Sequence, residues 1–216
     1  MARSILFLSG WEMPTTTDGG TWDSATGQIL HDTLTKRTGT GSAVFFPGAG
    51  QTGYWEKRIS LDNNYWQARV AIYISTAHNE ASPQKLIHLY NAAAGATPAM
   101  SIRIAKGSSN NVLSLWDDAA STQLGSNSGS LATDTWHLIE LLASCDAVGT
   151  SYGYLNGVQF ASGVGPNLTL NYIRLGFSTA MTADCAIYVD DFRLDRESSE
   201  PFTVPIGGAI VKLVPN

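Results

Sequence analysis

Two carboxylates about 5–5.5 Å apart can serve as nucleophile and acid/base on a glycosidic bond, so the glutamates are read first. They are Glu12, Glu56, Glu80, Glu140, Glu197 and Glu200. Only Glu140 falls inside a clear strand-like run, and its same-face neighbours there are the apolar Leu138 and Leu142. No carboxylate pair for glycoside cleavage emerges. His88 alternates away from Ile87 and Leu89, and so shares a face with Leu86 and Tyr90. It reads as a half-buried, hydrogen-bonded histidine, with contact to a sugar as the functional alternative. No catalytic residue is assigned.

Metal and redox chemistry have little to build on. His31, His78, His88 and His137 are scattered, and no Cys/His pair has zinc-ligand spacing. Cys145 and Cys185 read as buried thiols, although spacing alone leaves a disulfide between them open. Asp190-Asp191 ends a strand-like run, where adjacent side chains point to opposite faces. With Glu12 or Asp18, Asp190 is a candidate calcium site of hard oxygen ligands, the alternative being that it caps backbone amides. Beyond calcium, no cofactor is expected. Gly48-Ala49-Gly50-Gln51-Thr52-Gly53 lacks the Gly-Lys-Ser/Thr ending of a phosphate loop.

Aromatic side chains are the remaining asset, because sugar C–H faces stack on exposed rings. Trp66 and Trp136 sit in strand-like runs and are expected in the core. Trp11, Trp22, Tyr54, Trp55 and Trp116 lie at strand ends or loops. Trp11, Trp22, Trp55 and Trp116, with His88, are the candidate carbohydrate contacts.

Period-2 alternation runs through the 216 residues, and helical periodicity hardly appears. Trp66–Ile74, Leu86–Tyr90, Met100–Ile104, Val112–Trp116, Trp136–Leu142 and Ala186–Leu194 are the clearest strands. Asn156-Gly157 joins Ser151–Leu155 to Val158–Phe160, the strongest short hairpin signal available. Ten to twelve strands are expected, with long loops at 11–37 and 117–133. Ile5–Leu8 is too short for the apolar core of a secretory signal and reads as the first strand. The charged fraction is 14%, against ~25% in an average domain, with turn-forming residues making up the difference. A net charge of −5 without a basic cluster argues against nucleic acid and membrane as partners. After Asp195 the chain turns polar, and Pro201 precedes a last apolar segment. Residues 1–196 are read as one domain and 197–216 as an arm, with Phe202, Ile210, Val211 and Leu213 as candidate assembly residues.

Several stretches, in order, resemble the concanavalin A-like lectin/glucanase jelly roll in its laminin G-like form. They are Leu8-Ser9-Gly10-Trp11-Glu12, Tyr65–Val70, Asp134–Leu141, Tyr152–Gly157, Leu175-Gly176 and Ile187–Phe192. The resemblance spans residues 5–195 and implies an all-β, two-sheet antiparallel sandwich. That architecture hosts lectins, glucanases, lyases and interaction modules alike. The glucanase strand pattern E-x-D-x-x-E is absent. Of the Gln/His pair and Tyr-Lys-Tyr strand of alginate lyases, Lys85–Tyr90 supplies only a His and a Tyr. Short chains of this build also resemble virion proteins of tailed bacteriophages.

The expectation is therefore a non-catalytic capsid- or tail-associated module in a virion or in host cytoplasm during assembly. It would contact surface glycans or neighbouring virion proteins, as a homo-oligomer or through its arm added to another sheet edge. A soluble carbohydrate-binding lectin is the alternative, and a glucanase or polysaccharide lyase the third reading.

Overall fold

The computed structural model describes residues 3–9, 22–62, 65–91, 97–107, 110–146, 148–167 and 169–197. Strands form wherever apolar and polar residues alternate, because only an extended chain sends successive side chains to opposite faces. Those of the first half are β1 (Arg3–Ser9), β2 (Ser24–Gly27), β3 (Ile29–Asp32), β4 (Ser42–Phe45), β5 (Gly53–Asp62), β6 (Tyr65–Ile74), β7 (Gln84–Asn91) and β8 (Thr97–Lys106). The second half adds β9 (Asn111–Asp117), β10 (Thr122–Leu124), β11 (Trp136–Ser144), β12 (Thr150–Leu155), β13 (Val158–Val164), β14 (Leu170–Phe177) and β15 (Ile187–Glu197). No helix occurs among the described residues.

The strands make two sheets. One runs β13-β12-β11-β6-β15-β4-β3, with β1 added on β15; the other runs β10-β9-β8-β7-β14-β5-β2. Every ladder is antiparallel. The fold is the expected all-β jelly-roll sandwich. Its core interleaves Val70, Ile72, Ile139, Leu141, Ile187 and Val189 of one sheet with Ile87, Leu89, Ile102, Leu115, Ile173 and Leu175 of the other. Asn156 and Gly157 both take positive φ, 52° and 79°, as a type I′ hairpin turn requires. Gly176 has φ 103°, and a Cβ there would lie 2.5 Å from the Gly53 carbonyl oxygen and against the Phe45 ring.

Several expectations change. The stretch 11–37 contains β2 and β3, and 117–133 contains β10: three- and four-residue edge strands, too short to show a period. Trp22 and Trp55 are core residues and not loop aromatics. Trp55 is 1% exposed, stacked on Trp22 at 5.8 Å and edge-on to Phe45 at 4.7 Å, while Trp22 also meets Phe192. Neither can receive a sugar. Trp136, expected in the core, is half-buried on the outward side of its sheet, against Tyr73. The last strand runs through Glu197, one residue past the expected domain end.

Asp190 and Asp191 do not alternate, because the β15–β6 register shifts after Asp190 and Asp191 takes φ 51°. Both carboxylates consequently meet the segment at 37–38. Asp190 accepts the backbone N–H groups of Arg37, Thr38 and Asp191; Asp191 accepts from the Arg37 guanidinium and the Thr38 hydroxyl. Asp190 thus caps amides. Cys145 and Cys185 are both buried and form no disulfide with each other, and Cys185 Sγ lies 3.1 Å from His78 Nδ1. Trp11, Glu12, Asp18, and Phe202, Ile210, Val211 and Leu213 of the arm lie outside the described residues.

Candidate functional site

The seven-stranded sheet has one face in the core, and its other face carries the ionisable residues. Period 2 decides which residues they are. On β7, Ile87 and Leu89 point inward, leaving His88 and Tyr90 outward; on β8, Ile102 and Ile104 leave Ser101 and Arg103. On β9, Leu113 and Leu115 leave Ser114 and Trp116; on β14, Ile173 and Leu175 leave Arg174; on β5, Trp55 leaves Tyr54 and Glu56. Antiparallel pairing brings these outward residues side by side, His88 facing Ser101 on one side and Arg174 on the other.

The cluster centres on Asp118, in the turn that follows β9. Its Oδ1 accepts from Arg103 Nη2 at 2.5 Å, and its Oδ2 lies 3.2 Å from His88 Nε2 and 3.5 Å from Lys85 Nζ. His88 and Asp118 side chains are each 1% exposed, although both stand on the side away from the core. Their own neighbours cover them. Lys85 Nζ hydrogen-bonds His88 Nε2 at 3.2 Å, and the Tyr90 ring packs on the imidazole at 3.7 Å. Nε2 thus stands between an ammonium, which only donates, and a carboxylate, which only accepts, and the ring's tautomer decides which of the two it bonds. His88 Nδ1 and Asp118 Oδ2 have no hydrogen-bond partner among the described residues.

Each end of the cluster is finished by an arginine on aromatic rings. The Arg103 guanidinium lies 3.9 Å over Trp116, whose indole N–H donates to Ser114. Arg174 lies between Tyr54 and Tyr90, at 4.9 and 4.4 Å, and donates to Glu56 and to the Tyr90 hydroxyl, which also meets Ser178 at 3.3 Å. Aromatic faces hold both guanidinium planes flat on the sheet.

Burial sets the protonation states. It pushes His88 down to about 4, so the imidazole is neutral at pH 7. It also lowers Lys85, partly opposed by Asp118, and raises Tyr90 against the opposing pull of Ser178 and Arg174, keeping the phenol protonated. Burial alone would raise Asp118; its contacts with His88, Arg103 and Lys85 outweigh that and hold the carboxyl far below the usual carboxylate range. Lys85 and Arg103 therefore share one carboxylate beside a neutral histidine, and the face keeps surplus positive charge in a chain of net charge −5.

Of the candidate carbohydrate contacts, the structure brings His88 and Trp116 to this face and sends Trp22 and Trp55 into the core. Sequence reasoning passed over Lys85, Arg103, Asp118, Arg174 and Glu56. Arg103 stood in a recognised strand opposite apolar positions, which was the available signal; Lys85 precedes Leu86–Tyr90 on the parity of Ile87 and Leu89, and the register shift between Lys85 and Ile87 carries it to the outward face. Glu140, by contrast, is fully buried on the other sheet, accepts from Gln67 and has Arg69 at 4.0 Å.

No family model and no curated protein matches the chain. Solved structures do. The endo-β-1,4-glucuronan lyase of the fungus Trichoderma reesei superposes with a TM-score of 0.64 at 12% identity, over 88% of this chain and 95% of that one. This chain shares its fold. An alginate lyase from a Chlorella virus matches with a TM-score of 0.61 at 12% identity, over 90% and 100% of the two chains. A carbohydrate esterase from the Shiga toxin-encoding bacteriophage phi24B gives 0.64 at 13%, over 91% and 100%. These neighbours correct the expectation of a non-catalytic module and of no enzyme, together with its lectin alternative. Polysaccharide lyases and a carbohydrate esterase are among the sandwiches this chain superposes on, and its outward face carries an ionisable cluster. Catalysis was set aside because the sequence shows neither paired glutamates nor the full Gln/His and Tyr-Lys-Tyr set of alginate lyases; this cluster is built from cations, a histidine and a tyrosine drawn from several strands.

Proposed function

We propose that this protein is a carbohydrate-active enzyme that cleaves a uronate-bearing polysaccharide by β-elimination on the outward face of the seven-stranded sheet. The observation that carries the reading is the surplus cation: Lys85 and Arg103 share the single buried carboxylate of Asp118, next to a neutral His88 and a protonated Tyr90. Elimination needs those groups. A uronate C5–H becomes acidic enough to remove only when its carboxylate charge is neutralised, which Lys85 and Arg103 supply. His88 then takes the C5 proton, the C4–O bond breaks as C4=C5 forms, and the Tyr90 phenol gives its proton to the departing oxygen. No water is consumed. Lys85 covers His88 Nε2 in the free protein, so turning its ammonium to the substrate carboxylate uncovers the lone pair that accepts the proton.

Ester hydrolysis has less support here, since it needs a nucleophilic hydroxyl hydrogen-bonded to the base. No described Ser or Thr hydroxyl stands in that relation to His88. The test is incubation with glucuronan and with alginate, following the ultraviolet absorbance of the new C4=C5 uronate. Growth of that absorbance, lost in His88→Gln, is expected. Release of reducing ends without it would replace elimination by hydrolysis.

A further inference from the structure

Asp118 reaches the cluster from a turn and not from a strand. Residues 118–121 form that turn, which Asp117 closes by accepting the Ala120 N–H, and Ser121 takes φ 53° within it. The backbone N–H of Asp118 is tied to the Ala99 carbonyl, leaving the side chain to fold down over the sheet. There its carboxylate sits where Arg103, Lys85 and His88 converge. One oxygen is well held by Arg103. The other, Oδ2, is almost wholly buried, has no hydrogen-bond partner of good geometry among the described residues, and lies 3.2 Å from His88 Nε2 and 3.5 Å from Lys85 Nζ. A buried oxygen held by charge alone gives up solvation without the hydrogen bonds that would restore it. A carboxylate from outside, able to take direct N–H bonds from Lys85 and Arg103, would be better placed than this one.

We infer that Asp118 is a specificity-determining residue, an internal stand-in for the substrate carboxylate that an incoming uronate must displace from Lys85 and Arg103. The inference rests on the proposed reading of this face and deepens it. A neutral sugar offers nothing to replace the Asp118 charge, so the Lys85–Asp118 contact stays closed and His88 stays covered. A uronate relieves it, because the ammonium can leave His88 only when a second carboxylate draws it away. The face thereby selects for anionic residues at the position to be cleaved and keeps its base shielded until one arrives.

The experiment is calorimetric titration of wild type, Asp118→Asn and Asp118→Glu with a glucuronan tetrasaccharide, a mannuronate trisaccharide and neutral cellotetraose. Asp118→Asn is expected to bind the two uronate oligosaccharides about tenfold tighter, the size of effect one close charge pair carries, with Asp118→Glu no tighter than wild type. Cellotetraose affinity should not change. Because removing a buried carboxylate can unfold the chain, wild type is also read directly: the Asp118 side-chain carboxyl carbon resonance should move on saturation with the uronate oligosaccharide. Uronate binding by wild type with no tightening in Asp118→Asn and no shift of that resonance overturns the inference and leaves the proposed function standing. A folded wild type that binds neither uronate oligosaccharide overturns the proposed function as well.

Discussion

At the scale of single residues, the outward face works through pairs whose members change each other's chemistry. Lys85 covers His88 and, in the proposed elimination, neutralises the uronate; His88 is kept neutral by burial, and Tyr90 is kept protonated and held by Arg174 and Ser178. Lys85→Met should leave the fold intact, since it removes one half-buried cation, and should lower kcat/KM on a polyuronate by about 10²-fold or more. Tyr90→Phe keeps the ring on His88 and on Arg174 but deletes the proton donor, with a comparable loss in kcat. Steady-state kinetics on each variant, with circular dichroism to confirm the fold, checks both. Wild-type activity in Tyr90→Phe would remove the phenol from the reaction.

At the scale of elements, the site is a consequence of strand alternation, and so are the errors of residue assignment. Leu86–Tyr90 and Met100–Ile104 were legible strands, which correctly placed His88 opposite the core-facing residues. Tyr54-Trp55-Glu56 was not legible as a strand because a glycine-rich stretch precedes it, so Trp55 looked like a loop aromatic. Paired with β14 and β2, it is a central core residue, and Glu56 becomes the partner of Arg174. Trp55→Ala should therefore cost about 3–5 kcal/mol of stability. Trp116→Ala, which only withdraws the platform under Arg103, should cost about 1 kcal/mol and weaken substrate binding. Urea denaturation separates the two, and equal losses would show that Trp116 is core. Gly176→Ala tests the β14–β5 pairing: with φ 103° and the Gly53 carbonyl in the way, a loss of about 2 kcal/mol or more is expected.

At the scale of the whole molecule, burial of titratable groups links stability to pH. His78 and His88 both fall to about 4 in the folded chain from an ordinary value of 6.5, burial being the chief cause. The unfolded chain takes up their protons first, so their contribution is full above pH 6.5 and is lost as pH falls towards 4. Asp190 works in the opposite sense. Burial raises it to about 6 from 3.8, so the folded chain binds its proton first and that group favours folding as pH drops from 6 to 3.8. Two histidines outweigh one aspartate, and unfolding free energy should fall by roughly 2–3 kcal/mol between pH 7 and pH 5. Urea midpoints at the two pH values measure it; His78→Asn should remove about half of the histidine contribution, and a pH-independent midpoint would refute the assignment.

Alternation of residue types, turn chemistry at Asn156-Gly157 and the order of short motifs were enough to specify an all-β two-sheet sandwich, since period and backbone sterics are local properties. The short edge strands β2, β3 and β10 escaped, being too brief to carry a period. The same local logic marked His88 as a polar residue on an apolar strand but could give it no partners. Those come from β8, β14, β5 and the turn after β9, brought beside β7 by ladders between strands distant in sequence. Only tertiary structure decides which cations share Asp118, which tryptophans are buried, and whether a histidine is neutral. Charge coupling and desolvation depend on distance in space, which the spacing of residues along a chain does not contain.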